Sequence, residues 1–298
     1  MVVKRKRLLQ EWGIGYAFVL PAVALVGVFL VYPLIRSIYL SFFSWNGISA
    51  PKFIGLVNYV KLFHGKEIWN AFLHTILYTV CSVTGTVLIG LLIALAIERR
   101  IRGWRFYKFA LYISVMLPVT VVAVLFAKFF EPNYGLFNAL LRSIGLERFT
   151  QNWLGDPKTA LGSIIAVSVW QYSGFTMLLL LAAMESIDPA VHEAATIDGI
   201  NERQRIFYIT LPCIKRPLFV VVMLQIIFSF KTFDIFWIMT GGGPALKTEV
   251  LTTMLYRTAF SYGKYGLASA ISVVMILIIS LISLYYLKKS KLGEQVVE

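Results

Sequence analysis

The chain has 298 residues, of which 58% are hydrophobic and only 14% are charged, and its mean hydropathy is +0.76. Soluble domains carry about 25% charged residues, so this composition excludes an ordinary soluble protein and indicates an integral membrane protein. The net charge of +13 would suggest nucleic-acid binding in a soluble protein. In a membrane protein, the distribution of positive charge instead indicates how the spans are oriented in the membrane. We therefore expect no nucleic-acid partner.

Six apolar runs are long enough to cross a bilayer, which takes about 20 helical residues. They occupy residues 13–35, 69–97, 107–129, 159–184, 218–239 and 266–287. The first follows the basic residues 4–7 but is too long for a signal peptide and lacks a clear cleavage site, so we interpret it as an uncleaved span. The predicted fold is all-α, a polytopic membrane protein with six spans in one transmembrane domain, and Pro118 predicts a kink in the third span.

Basic residues predict the orientation of these spans. If the N-terminus is cytosolic, the inner segments contain sixteen Lys and Arg residues, clustered at 4–7, 99–108, 203–216 and 288–291, and the longer outer segments contain eleven. Positive charge is denser on the cytosolic side of membrane proteins. We therefore expect both termini in the cytosol of a prokaryotic cell, with Trp45, Trp153 and Pro244 outside the plasma membrane.

The second span carries small residues at steps of four. A helix face of this kind lets two helices approach closely in lipid. The residues are Ser82, Thr86, Gly90 and Ala94, and we interpret them as a packing face.

A polar segment, residues 188–217, lies between the fourth and fifth spans. Asp188 and Pro189 predict a helix start, and Gly199 predicts its end. Asn201 with Gln204 predicts a capping box for a second helix, which we expect Pro212 and Pro217 to end. The pattern is typical of a docking element, and an ordinary surface loop is the alternative.

Within this segment, Glu193-Ala194-Ala195, Gly199, Ile209 and Leu211-Pro212 spell E-A-A-x3-G-x9-I-x-L-P. This resembles the EAA loop of the membrane-spanning subunits of binding-protein-dependent ABC importers. The resemblance implies a type I importer permease fold in which residues 185–217 form a cytosolic coupling loop. It also implies that the ATPase subunit docks on Glu193, Ala194, Ala195, Asp198 and Gly199. A solvated surface acid is the alternative for Glu193.

The resemblance extends along the chain to Thr240-Gly241-Gly242-Gly243-Pro244, which is similar to the sugar-importer branch of that family. It implies a carbohydrate substrate, most simply an oligosaccharide. The implied partners are a second, homologous permease, two ATPase subunits that bind ATP and magnesium, and an extracytoplasmic solute-binding protein.

The chain itself lacks the residues for energy conversion. It has no G-x4-G-K-[ST] sequence, so it is expected to be no enzyme and to hold no cofactor or metal. Its three histidines are scattered, and Cys81 and Cys213 lie in different environments, which disfavours a disulfide. An ion-gradient-driven secondary transporter remains an alternative, although Asp234 is the only deeply placed acid available for a relay.

Polar and aromatic residues in the fourth and fifth spans predict a substrate path. Polar groups in a membrane must face a cavity or another helix, and helix packing is the alternative here. The candidate lining residues are Trp170, Gln171, Tyr172, Gln225, Ser229, Phe233 and Trp237. Lys231 and Asp234, three residues apart, are expected to pair within one helix as a lock or gate, or to contact substrate directly.

Overall fold

A computed structural model describes residue 16, residues 18–99 and residues 102–290, with side chains up to 288. Regular structure in these residues is almost entirely helical, as predicted. The helices are α1 (Phe18–Leu40), α2 (Val57–His64), α3 (Lys66–Glu98), α4 (Trp104–Met116), α5 (Val119–Phe129), α6 (Leu136–Ser143), α7 (Ala160–Glu185), α8 (Pro189–Ile197), α9 (Glu202–Cys213), α10 (Lys215–Lys231), α11 (Asp234–Met239), α12 (Leu251–Tyr256) and α13 (Tyr265–Ser290). A short hairpin pairs β1 (Phe43–Ser44) with β2 (Lys52–Phe53) in antiparallel register.

Four of these helices, α1, α3, α7 and α13, are each long and apolar enough to cross a bilayer. Two bent pairs also qualify when each is counted together: α4 with α5, bent by 95°, and α9 with α10, bent by 68°. The count of six spans therefore stays a prediction. Basic residues 4–7, Arg100, Lys291 and the first residues of the predicted first span lie outside the described residues.

The chain divides into two compact units. The first combines the residues up to His64 with Leu255–Val274. Its helix α1 has no buried residue in its most apolar 18-residue window, and Phe18 and Phe29 are 82% and 75% exposed. An apolar helix with such exposure is stable only against lipid or another protein.

The second unit, Gly65–Met254 with the residues from Met275, is centred on the packing of α3 against α7. The small residues of α3 lie in this interface, and all four are buried. A Cβ added to Gly90 would lie 2.8 Å from the side chain of Thr176 on α7. The packing face expected from the steps of four is confirmed.

The predicted kink at Pro118 is present as a sharp break between α4 and α5. Proline has no N–H and its ring crowds the preceding turn, so α4 ends at Met116 and Leu117 is extended. The released carbonyl of Leu117 accepts from Gln171 Nε2 on α7 at 3.4 Å. A buried backbone carbonyl without a hydrogen-bond partner would lower the stability of the folded protein.

A second break separates α10 from α11, inside the apolar run predicted as one span, residues 218–239. Thr232 is extended, with φ −65° and ψ 123°. Its carbonyl accepts from the Thr252 hydroxyl at 2.6 Å, and its own hydroxyl donates to the Phe228 carbonyl at 2.9 Å. Two threonine side chains thus stabilise the non-helical backbone at Thr232 and Phe233.

Gly174 tests the contact between α4 and α7. A Cβ there would lie 2.1 Å from the Leu111 carbonyl oxygen, whereas one on Gly162, also in α7, would meet nothing within 4 Å. We expect Gly174→Ala to destabilise the protein by about 1–3 kcal/mol through overpacking. Gly162→Ala should be neutral or stabilising, because alanine favours a helix. Thermal unfolding of the purified complex measures both, and equal melting temperatures would contradict this account of the interface.

Candidate functional site

A cavity of about 310 Å³ lies in the second unit where the two helix breaks meet α3 and α7. Hydroxyl, amide, charged and aromatic side chains line it together with a few aliphatic ones. The lining residues are Tyr78, Ser82, Val83, Thr86, Val119, Ser168, Tyr172, Gln225, Phe228, Ser229, Lys231, Thr232, Phe233, Asp234 and Ile235. A cavity that brings several polar and charged side chains together inside an apolar helical body is a candidate ligand site.

Hydrogen bonds between helices position several of these side chains. Tyr78 on α3 donates to Ser168 on α7 at 3.1 Å, and Ser229 on α10 donates to Thr79 on α3 at 2.9 Å. Gln225 Nε2 donates to Thr176 at 2.7 Å. Within the described part of the chain, the Tyr172 hydroxyl has no hydrogen-bond partner. It is therefore available to a bound molecule.

The predicted path residues divide into two groups. Tyr172, Gln225, Ser229 and Phe233 line the cavity. The other three do not. Trp170 is 46% exposed and packs on Phe126, Gln171 is buried and supports the break at Leu117, and Trp237 stacks on Phe233 at 5.7 Å between ring centroids.

The expected pairing of Lys231 with Asp234 within one helix is wrong. Lys231 is the last residue of α10 and Asp234 the first of α11, with the break between them. Among the described residues, the ion pairs within 4.0 Å are Arg99–Glu202 and Arg205–Glu202. Both Lys231 and Asp234 line the cavity, so its surface carries a separate positive and negative charge.

Sequence reasoning missed the contribution of α3 to this cavity. Tyr78, Ser82 and Thr86 follow one another at steps of four and line it, although the last two were interpreted only as packing residues. A tyrosine continuing a stripe of hydroxyl residues was the available signal. The same stripe serves both purposes, because its residues are buried against α7 and α10 and still border the cavity.

The polar segment, residues 188–217, forms the predicted helix, break and second helix. Asp188 accepts from the Ala190 N–H at 2.9 Å at the start of α8, and Gly199 has φ +69°. Asn201 and Gln204 form the capping box, with hydrogen bonds of 2.8 and 2.9 Å. These features set the sharp turn between α8 and α9.

The end of the second helix differs from the prediction. Helix α9 continues through Pro212 to Cys213, and Pro217 lies in the first turn of α10 rather than beyond a helix end. Residues Arg205–Thr210 are wound as a π-helix, and the Leu211 N–H bonds to the Ile206 carbonyl. This wider turn accommodates Pro212, which would clash in a regular α-helix.

This segment presents an uncovered apolar surface. Ile197, Phe207 and Tyr208 are 86%, 65% and 76% exposed. Between α8 and α9 lies an open groove of about 540 Å³ whose walls include Ala194 and Ala195. Exposed apolar patches of this kind mark interaction sites.

Carboxylates surround the other side of α8. Glu193 borders a cavity of about 350 Å³ with Glu98 and Glu185, and Trp104 forms part of its wall. His192 lines the same cavity, but in the described part of the chain no group of three His, Cys, Asp or Glu residues could hold a metal. The three carboxylates around this cavity suit a cationic side chain of a partner rather than a metal ion.

Cys81 and Cys213 are both free thiols, as predicted.

These features define a polytopic helical membrane protein with a cavity bordered by polar side chains and an exposed helical segment. The profile of the family described as binding-protein-dependent transport system inner membrane component matches residues 86–291. The chain belongs to this family. It is a permease of the ABC importer class, and the ion-gradient alternative is not supported.

Relatives extend the similarity along almost the whole chain. A probable ABC transporter permease protein, YurN of Bacillus subtilis, is 38% identical over 96% of this chain and 99% of its own. The trehalose/maltose transport system permease protein MalF of Thermococcus litoralis is 31% identical over 94% of each. A solved bacterial alginate ABC transporter, in complex with alginate pentasaccharide-bound periplasmic protein, contains a chain that is 25% identical, with a TM-score of 0.84 over 96% of both chains.

Proposed function

We propose that this protein is the permease subunit of an ATP-driven carbohydrate importer, with an oligosaccharide as the substrate. The observation that carries the proposal is the cavity at the two helix breaks, which combines aromatic rings with hydroxyl and amide groups. Aromatic faces pack against sugar rings, and polar side chains hydrogen-bond to sugar hydroxyls. The similarity to a trehalose/maltose permease and to an alginate transporter supports this substrate class.

In this proposal the cavity is part of the translocation path. Tyr172, Gln225, Ser229 and Phe233 contact the sugar, while Trp170, Gln171 and Trp237 support the walls. Lys231 and Asp234 act separately, since no ion pair joins them. A carboxylate can accept from two neighbouring hydroxyls and an ammonium group can donate to three acceptors, so both suit a polyhydroxylated ligand.

We further propose that residues 185–217 dock on the ATPase subunit, which binds and hydrolyses ATP with magnesium. Exposed Ile197, Phe207 and Tyr208 supply apolar contact area. Glu193, beside two other carboxylates, attracts a basic residue of the ATPase. Of the remaining motif residues, Ala194 and Asp198 are exposed, Ala195 is buried against the groove, and Gly199 makes the turn.

The complete assembly contains this chain, a second homologous permease, two ATPase subunits and an extracytoplasmic solute-binding protein. The chain resides in the plasma membrane with the polar segment in the cytosol. The distribution of basic residues supports this orientation.

Thiol labelling tests the orientation. With Cys213 as the only cysteine, in a Cys81→Ser background, a membrane-impermeant maleimide should react only after the cells are permeabilised. A matched protein lacking both native cysteines and carrying Ser143→Cys, an exposed position in α6, should react in intact cells. The reverse pattern would require the inverted topology.

Gly199 tests the docking role. Gly199 and Gly145 have φ of +69° and +76°, and a Cβ at either would meet nothing within 4 Å. Alanine therefore introduces similar local strain at both, about 1–2 kcal/mol. Gly199→Ala should weaken ATPase docking by about 5- to 30-fold and uncouple ATP hydrolysis from uptake. Gly145→Ala should leave coupling intact. Normal uptake with Gly199→Ala, or equal losses in both variants, would refute the docking role.

Tyr172 tests the substrate path. Tyr172→Phe removes only the unpartnered hydroxyl, so losing one sugar hydrogen bond should lower transport efficiency by about 2- to 12-fold. Trp170→Phe, two positions away and outside the cavity, should transport normally. Sugar uptake and binding-protein-stimulated ATPase activity are measured on the same reconstituted complexes. If the two variants behave alike across a panel of oligosaccharides, the cavity is not the path.

A further inference from the structure

The first unit contains no carboxylate in its described residues, which are 16, 18–64 and 255–274. Its charged residues are all basic: Arg36, Lys52, Lys61, Arg257 and Lys264. This imbalance creates a positive potential that no acidic side chain among the described residues of the unit offsets.

Two of these lysines border one polar cavity. It has a volume of about 310 Å³ and is lined by Lys61, Lys264, Trp45, Asn58 and Asn46 among others. Neither lysine forms an ion pair within 4.0 Å among the described residues, and Lys264 Nζ lies 5.8 Å from the centre of the Tyr262 ring. The cavity therefore offers two cationic groups without a counter-ion.

Amide groups in the same cavity are held rigidly. Asn58 is only 5% exposed, and its Nδ2 donates to the carbonyls of Ser41 and Phe43 at 2.8 and 2.9 Å. Its Oδ1 has no donor among the described residues. Asn46 Oδ1 accepts from the N–H groups of Ile48 and Ser49 and from the Ser49 hydroxyl, and no described residue accepts from its Nδ2. The cavity thus adds a fixed acceptor and a free donor to the two cations.

The cavity lies next to the ends of two helices that are long and apolar enough to cross a bilayer. Its residues follow the end of α1 at Leu40 and include Gly266 and Leu267 in the first turn of α13, and both helices are candidate spans. Beside Lys61, helix α2 exposes Val57, Val60 and Phe63, which are spaced three residues apart on one face. A polar, cationic pocket next to an exposed apolar helix face has the two parts needed for an amphipathic ligand.

We propose that this cavity binds the headgroup of an anionic phospholipid with a hydroxylated headgroup, such as phosphatidylglycerol. Lys61 and Lys264 bind the phosphate, Asn58 Oδ1 accepts from a glycerol hydroxyl, and the acyl chains lie along the apolar face of α2. Basic residues at a membrane surface attract anionic lipids, and a phosphodiester matches two ammonium groups. The assignment does not depend on the transported substrate or on which face of the membrane is cytosolic.

The purified complex in nanodiscs of equal phosphatidylglycerol and phosphatidylcholine tests this site, with retained lipid measured by native mass spectrometry. The wild type should retain phosphatidylglycerol selectively. Lys61→Gln with Lys264→Gln should reduce that selectivity about fivefold per lysine. Lys52→Gln is the matched control, because Lys52 is an exposed lysine of the same unit outside the cavity. The pair Lys61→Arg and Lys264→Arg should keep selectivity, which separates charge from a folding defect.

Four outcomes would overturn the lipid site. The first is equal retention of both lipids by the wild type, and the second is an equal loss with Lys52→Gln. The third is a double variant that keeps its lipid but no longer binds the solute-binding protein, which would assign the cavity to an acidic protein surface. Inorganic phosphate that binds as tightly as the lipid would show that the apolar face contributes nothing and would likewise exclude a lipid ligand.

Discussion

Backbone polar groups inside a bilayer have no water to bind, so every interruption of a membrane helix needs a partner within the protein. Two such interruptions lie within the predicted apolar runs 107–129 and 218–239 of the second unit, at Leu117 and at Thr232 and Phe233. Side chains stabilise both: Gln171 donates to the Leu117 carbonyl and Thr252 to the Thr232 carbonyl. The polar cavity lies where these breaks meet, with Val119 after the first and Asp234 after the second in its wall. The two stretches of non-helical backbone and the cavity with its polar side chains therefore occupy the same part of the second unit.

The cavity and the polar segment are joined by a single helix. Only Ile214 separates the end of α9 at Cys213 from the start of α10 at Lys215. Helix α10 ends at Lys231, and its 17 residues span about 25 Å. Gln225 and Ser229 on it bond to α7 and α3 respectively, which ties the helix to the packed core at the cavity end. At the other end, Ile214 is fully buried in the cluster that contains Ala94 and Met184. Helix α10 therefore connects the polar segment to the cavity and is held by packing or hydrogen bonds at both ends.

Charges have different roles in the two places. The ion pair between Arg99 and Glu202, at 3.1 Å, joins the end of α3 to the start of α9, but both side chains are nearly half exposed, so it contributes little stability. The charges of Lys231 and Asp234 are instead kept apart by the break and turned to the cavity. In the first unit, whose described residues include no acid, Lys61 and Lys264 also border a cavity. Lys231 and Asp234, and likewise Lys61 and Lys264, thus border cavities without an ion-pair partner among the described residues.

Composition and local pattern determined the fold class, the approximate apolar runs, the packing face of α3 and the caps of α8 and α9. These features depend on residues close together in sequence, so periodicity and capping rules suffice. The motif Glu193-Ala194-Ala195 to Pro212 also identified the family correctly. Only the tertiary structure decided that Lys231 and Asp234 do not pair, because a threonine twenty residues away, Thr252, stabilises the break between them. Only the tertiary structure shows that Gln171 supports the helix break at Leu117, whereas its neighbour Tyr172 lines the cavity. The structure also adds three residues of α3 to the lining of the cavity: Tyr78, Ser82 and Thr86. Side-chain direction at these positions depends on contacts between helices far apart in sequence, which no local pattern contains.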